Sequence, residues 1–247
     1  MSRSSALAST ANTTSASASA STSAPASASG VAPTRQRRKQ TRAQELLDAA
    51  LTLFVEKGFA VTRAEEVARA AGVSKGTLYL YYPSKEELFK AVVRHNLSSL
   101  IAEGMSLLEQ HQGSSSELLV CLMTTWWERI GSTPAAGIHK VVLSEVRNFP
   151  ELADFYSTEV IEPGEFLFSA VVRRGIDSGE FRPVPVREVA HALMAPMILL
   201  SLHRHSFGAC QPPCASVAVD ALALMHTHLD LALRGLQVRQ AGERVAT

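Results

Sequence analysis

The chain has 247 residues, a formal net charge of +1 and an apolar fraction of 46%. That length allows one or two domains with a substantial core, and no apolar run is long enough to cross a bilayer, so no membrane partner is expected. Three cysteines, Cys121, Cys210 and Cys214, are an odd and sparse count; they argue against a secreted disulfide scaffold and point to the cytosol.

Residues 1–34 are low-complexity: Ser, Ala and Thr make up 26 of the 34, and no aromatic residue occurs. Such a stretch cannot bury enough apolar surface to offset its ordering entropy, so it reads as a disordered tail. It lacks the continuous apolar core of a secretory signal. A basic run follows, Arg35, Arg37, Arg38, Lys39 and Arg42. Two readings are open for it: a solvated tail, or an arm reaching phosphates and an adjacent minor groove. The first helix is expected over about Arg42 to Lys57, where Leu47, Ala50, Leu51 and Phe54 recur at helical spacing and Gly58 ends the pattern.

Residues 62–87 organise the rest. Thr62 with Glu65 has the form of a capping box opening a short helix with Val67, Ala68 and Ala71 on one side. Gly72 sits where a helix needs a left-handed stop. Ser74 is placed to cap a second helix that begins at Lys75 and ends before Pro83. Ser84 with Glu87 repeats the capping-box form. Three starts and a glycine stop in so short a span describe a helix-turn-helix. On its second helix Leu78 and Tyr82 share the inward side, while Thr77 and Tyr81 pair on the outer side and Gly76 and Tyr79 complete an exposed face. A glycine inside so short a helix costs about 1 kcal/mol relative to alanine, a cost that close approach to a major groove would explain. Charge agrees with this placement. Residues 35–95 carry 12 Lys/Arg against 7 Asp/Glu, whereas residues 96–247 carry 11 against 16. The positive end is therefore the end that would meet phosphate.

From Ser84 a long helix is expected to run to about Gln110, and the polar loop Gly113 to Ser116 marks an approximate boundary. Further helices are expected over Glu117 to Ile130, Pro134 to Asn148, Pro150 to about Tyr156, about Thr158 to Ser178, Pro185 to Ser206 and Ala215 to Leu236. Pro134, Pro150 and Pro185 sit where a helix starts without losing a bond, and Gly131, Gly179 and Gly208 near helix ends. The division this suggests is a tail over 1–34, a helix-turn-helix domain over 35–95, a helical domain over 96–236 and a C-terminal tail over 237–247. The fold class is all-α.

The stretch TRAQELLDAALTLFVEKGFAVTRAEEVARAAGVSKGTLYLYYPSKEELFKAVV resembles the N-terminal domain of the TetR/AcrR family of transcriptional regulators. The likeness rests on Leu53-Phe54, Glu56, Gly58-Phe59, Ala71-Gly72-Val73-Ser74, Gly76-Thr77-Leu78-Tyr79 and Ser84-Lys85-Glu86, all in order. Tyr82 stands where the family usually has Phe, and Arg63 where it often has Ser. The resemblance implies that Thr62, Lys75, Gly76, Thr77, Tyr79, Tyr81 and Lys85 occupy DNA-touching positions, with Arg63 as an addition of this chain. It also implies a homodimer built on the last two long helices, matching a palindromic double-stranded operator. The C-terminal domain would then take a small apolar or amphipathic effector that releases the repressor. An activator, or a DNA-binding regulator with no functional pocket, stays open.

Candidate ligand residues combine bulk with a few polar groups: Met123, Trp126, Trp127 and Phe168, together with His139 and Arg147. Phe149, Phe166, Met194 and Glu145 belong to the same wider set. No cofactor, metal site or catalytic motif is expected. His203 with His205, and His226 with His228, are two apart and thus about 200° apart on a helix, which keeps them from sharing an ion. HExxH, GxSxG and a phosphate-cradling loop are absent from the sequence. Cys210 and Cys214 leave a redox response open.

Overall fold

The structure is a computed structural model in which residues 35–209 and 220–238 are described. The expected tails over 1–34 and beyond 238, and the Cys210–Cys214 loop, lie outside the described residues. The basic run does not precede the first helix but forms its opening turns: helix α1 spans Arg35–Lys57. Leu46, Ala50 and Phe54 bury its inner stripe. Gly58 ends it at φ 93°, a conformation in which a Cβ would be strained.

Helices α2 (Ala64–Ala70), α3 (Lys75–Tyr81) and α4 (Lys85–Val93) follow. Gly72, at φ 66°, makes the turn between α2 and α3. The Ser74 hydroxyl accepts from the Thr77 N–H at 3.0 Å and caps α3. Two capping expectations are corrected. The N-cap of α2 is Arg63, one residue later than Thr62, and its N–H donates to Glu66 rather than involving Glu65. At α4 only half a box forms: Ser84 accepts from the Glu87 N–H, while the Glu87 carboxyl takes Lys90 instead.

The long helix expected from Ser84 is continuous but not uniform. Helix α4 passes through a π turn, Arg94–Ser98, into α5 (Ser99–Gln110). The same device recurs twice. Helix α6 (Ser115–Trp126) ends in the π turn Trp127–Gly131, and α8 (Pro150–Tyr156) runs through Ser157–Ile161 into α9 (Glu162–Asp177). Between them a short 3-10 turn, Pro134–Ala136, leads into α7 (Gly137–Glu145). Helices α10 (Val186–His205) and α11 (Ala221–Leu236) complete the order. An isolated antiparallel bridge, Phe181 to Gln237, ties the end of α11 to the segment before α10. Among the described residues no helix is long and apolar enough to cross a membrane.

Two cores result, and they do not follow the expected boundary at residue 95. One joins α1–α4 to Ile138, Val141 and Val142 of α7 and Leu152 of α8. The other gathers α6, α9, α10 and α11 around Leu118, Met123, Val171, Leu193 and Leu229. Helix α7 therefore belongs to the core of the helix-turn-helix. Gly137 makes that approach possible, because a Cβ there would stand 2.4 Å from Val55 Cγ1.

Candidate nucleic-acid interface and ligand cavity

Helix α3 is anchored by Leu78, which is fully buried, and by Tyr82, half-buried against the same core; Tyr81, expected on the outer side, is also half-buried there and keeps only part of its surface outward. Lys75, Gly76, Tyr79 and Leu80 are exposed. Leu80 is 85% exposed, a large apolar side chain on the outer face that suits contact with a thymine methyl. Its place two residues from inward-facing Leu78 already put it on the opposite side of the helix, so the signal was present in the sequence. A Cβ built on Gly76 would meet nothing nearer than Ser74 Oγ at 3.8 Å. Among the described residues no neighbour requires glycine there.

Lys75 pairs with Glu65 across the turn, which holds the lysine above its ordinary pKa and the carboxyl below its own. The lysine also lies 5.8 Å from the Tyr79 ring centre. Thr77 shares its hydroxyl with Ser74 at 2.9 Å. Arg63 is exposed at the start of α2.

Two expected contact residues are turned to other work. Thr62 is 1% exposed, its hydroxyl 2.7 Å from the Gly58 carbonyl and 3.2 Å from that of Leu53. Its side chain closes the turn after α1 and is not presented to a ligand. Lys85 donates to the carbonyls of Phe59 at 2.9 Å and Ala60 at 3.0 Å, with its amino group 4.5 Å from the Phe59 ring centre. Only one of its three donors is left for a phosphate.

The same turn is held from the other side by the C-terminal half. Glu145, at the end of α7, accepts from the Ala60 N–H at 3.0 Å, and Phe149 meets Phe59 edge-on at 4.9 Å. Glu145 and Phe149 are therefore junction residues rather than ligand contacts. Just past α4, at the start of the π turn, Arg94 pairs with Glu159, its Nε 3.0 and 3.1 Å from the two carboxyl oxygens and its Nη2 2.6 Å from one of them.

Behind that junction lies a cavity of about 800 Å³. Its wall is almost wholly hydrocarbon, with Leu100, Leu122, Leu167 and Met197 among its residues. Trp126, His139 and Phe168 line it as expected candidates, and Met194 does too. Met123 does not: it is fully buried in the second core. Trp127 packs against that core, Arg147 is exposed on the surface, and neither reaches the cavity. Phe166 is also exposed. Leu143, Ile161 and Leu199 line the cavity yet remain well exposed, so it opens to solvent along their edge. Tyr156, a wall residue that no sequence spacing singled out, lies 2.5 Å through its hydroxyl from His139 Nδ1. Burial drives the His139 pKa down to about 4, with His205 as the lesser cause, and pushes the Tyr156 phenol upward.

Comparison with known proteins agrees with both halves. Residues 46–92 match the family model for bacterial regulatory proteins of the tetR family, and residues 110–226 match the tetracyclin repressor-like C-terminal domain. An uncharacterised HTH-type transcriptional regulator of Bacillus subtilis, YfiR, is 31% identical over 158 residues, 62% of this chain and 74% of its own. The HTH-type transcriptional repressor KstR2 of Rhodococcus jostii is 29% identical over 199 residues, 80% of this chain and 92% of its own. In fold the chain is similar to the transcriptional regulator FadR from Bacillus subtilis, solved in complex with stearoyl-CoA, at a TM-score of 0.59 and 18% identity over 78% of this chain and 98% of that one. The chain belongs to the TetR family and is a DNA-binding transcriptional regulator.

Proposed function

We propose that this regulator is a repressor, released from a palindromic operator when an apolar or amphipathic effector enters the cavity. The observation that carries the reading is the position of α7. One face of that helix walls the cavity through His139 and Leu143, and its last residue, Glu145, holds the turn beside the reading head. A ligand that favours one arrangement of this wall shifts the head with it, because it stabilises the state it binds better. The relative described as a repressor and the fold neighbour that holds stearoyl-CoA support the reading.

On the DNA side, Lys75, Gly76, Thr77, Tyr79, Leu80 and Tyr81 enter a major groove, with Arg63 at the flank. Two heads act together in a homodimer. Leu199 of α10 and Leu222 and Leu231 of α11 are each more than half exposed, and covering such side chains is what a self-complementary interface does. The test is a gel shift against the DNA upstream of its own gene, across a salt series with excess competitor. Saturable binding to a short palindrome that survives competitor supports the proposal. Binding only at low salt, lost to competitor, counts against it.

A further inference from the structure

His139 and Tyr156 are a polar pair set into a hydrocarbon wall. Both line the cavity, and both are buried. The phenol O–H needs an acceptor, and His139 Nδ1, at 2.5 Å, is the one it has. A neutral imidazole that accepts at Nδ1 carries its proton at Nε2. Among the described residues that Nε2 has no hydrogen-bond partner. His139 lines the cavity and is only 4% exposed, and Nε2 itself is shielded from water, so an acceptor reaches it as the neighbouring side chains of the wall give way. A buried donor without a partner is a standing cost that a suitable acceptor removes.

The rest of the wall narrows the chemistry. Among the described residues it contains no Lys or Arg; its one carboxylate, Glu103, is paired with Arg129, and its other histidine, His191, lies against the Arg187 carbonyl and 3.5 Å from Glu165. An enclosed anion would therefore meet no fixed positive charge, and burying one unpaired is costly. Burial also keeps the imidazole neutral well below physiological pH.

Resting on the effector reading above, we propose that His139 anchors the effector by donating from Nε2 to one neutral acceptor oxygen. A ketone, ester or thioester carbonyl fits, on a molecule that is otherwise hydrocarbon where it is enclosed. Tyr156 is the positioning residue that sets the tautomer. A carboxylate is disfavoured at that point of the cavity.

The experiment uses the full chain and three probes of matched length delivered from cyclodextrin: tridecan-2-one, n-tridecane and dodecanoate. Binding is read from tryptophan fluorescence, to which the cavity residue Trp126 contributes, and from the melting temperature, which any ligand of the folded state raises. The ketone is expected to bind about fivefold or more tightly than the alkane, the worth of one net hydrogen bond, and more tightly than dodecanoate. The double variant His139→Leu, Tyr156→Phe, which replaces both partners with apolar groups, is expected to bind ketone and alkane alike. Equal affinity for ketone and alkane in the native chain overturns the inference while leaving the effector reading intact. So does a ketone preference that survives the double variant, or a dodecanoate that binds more tightly than the ketone. If no probe binds and none moves the melting temperature, the effector reading fails and the inference falls with it.

Discussion

Single residues show where this protein gives up stability and where it holds it. Gly76 sits in α3 with open space around its missing Cβ, so Gly76→Ala is expected to stabilise the fold by up to about 1 kcal/mol. Operator affinity should fall in the same variant, since the added methyl stands where the groove wall must approach. Thermal melting and a gel shift together check this, and an alanine variant that binds as well as the parent would sink the close-approach argument. Lys85→Ala should behave in the opposite way. It strips two carbonyls and the Phe59 ring of their cation, and a loss of about 1–3 kcal/mol in a denaturant titration is expected. If stability held while the salt dependence of DNA binding dropped by about one phosphate contact, the lysine would belong to the DNA instead. His139 adds a pH signature. Its imidazole protonates near 6.5 in the unfolded chain but only near 4 when folded. Over that window the unfolded state binds more protons, so stability rises with pH and is lost as pH falls from 6.5 towards 4. His205 and His228 are shifted the same way by burial. His139→Leu should therefore flatten, not abolish, the drop in urea midpoint between pH 7 and pH 5.

At the scale of elements, α7 is the part to watch. It is short, it packs against α1 through Gly137, and it ends on the Glu145 bond to the Ala60 turn. Gly137→Ala would drive a Cβ into Val55, and overpacking of this kind costs about 1–3 kcal/mol. Because the strain falls between α1 and α7, the variant should also change how far an effector lowers operator affinity. A gel shift with and without tridecan-2-one reads that directly; unchanged release would mean the signal runs through α4 and its Arg94–Ser98 π turn instead. The reading helices themselves were legible from their caps and stops. Ser74, Gly72 and Gly58 act locally, through a side-chain acceptor or a positive φ, and local causes leave a local trace in the sequence. The exact partners were not: Glu66 rather than Glu65 reaches back to the start of α2, since a one-residue shift of a helix start preserves the pattern that announces it.

For the whole molecule, the prediction concerns assembly. Leu231→Glu places a charge on the exposed apolar face of α11 without touching either core. If two copies pair through α10 and α11, the variant should become monomeric in sedimentation and lose binding to a full palindrome, because one head alone gives up half the contacts. A dimer that persists would move the interface elsewhere. The molecule also joins what composition seemed to separate. The sign of the charge changes near residue 95, yet the core that supports the reading head includes Ile138, Val141 and Leu152 from the second half.

The fold class, the three-helix head and the two sides of α3, Tyr81 apart, are legible in the residues alone. All of these follow from periodicity, caps and glycine stops acting over a few residues. The amino-acid sequence also carries the family likeness of the head. Which bulky residues wall the cavity and which merely fill the core follows from how distant helices pack. Trp126 and Trp127 are neighbours with the same chemistry, and their different fates depend on which helix each one faces. Thr62 and Lys85 were redirected for the same reason: their partners, the carbonyls of residues 53–60, come close only when the chain has folded back on itself. The pairing of His139 with Tyr156, 17 residues on, depends on α7 and α8 packing side by side, which no spacing within either helix encodes.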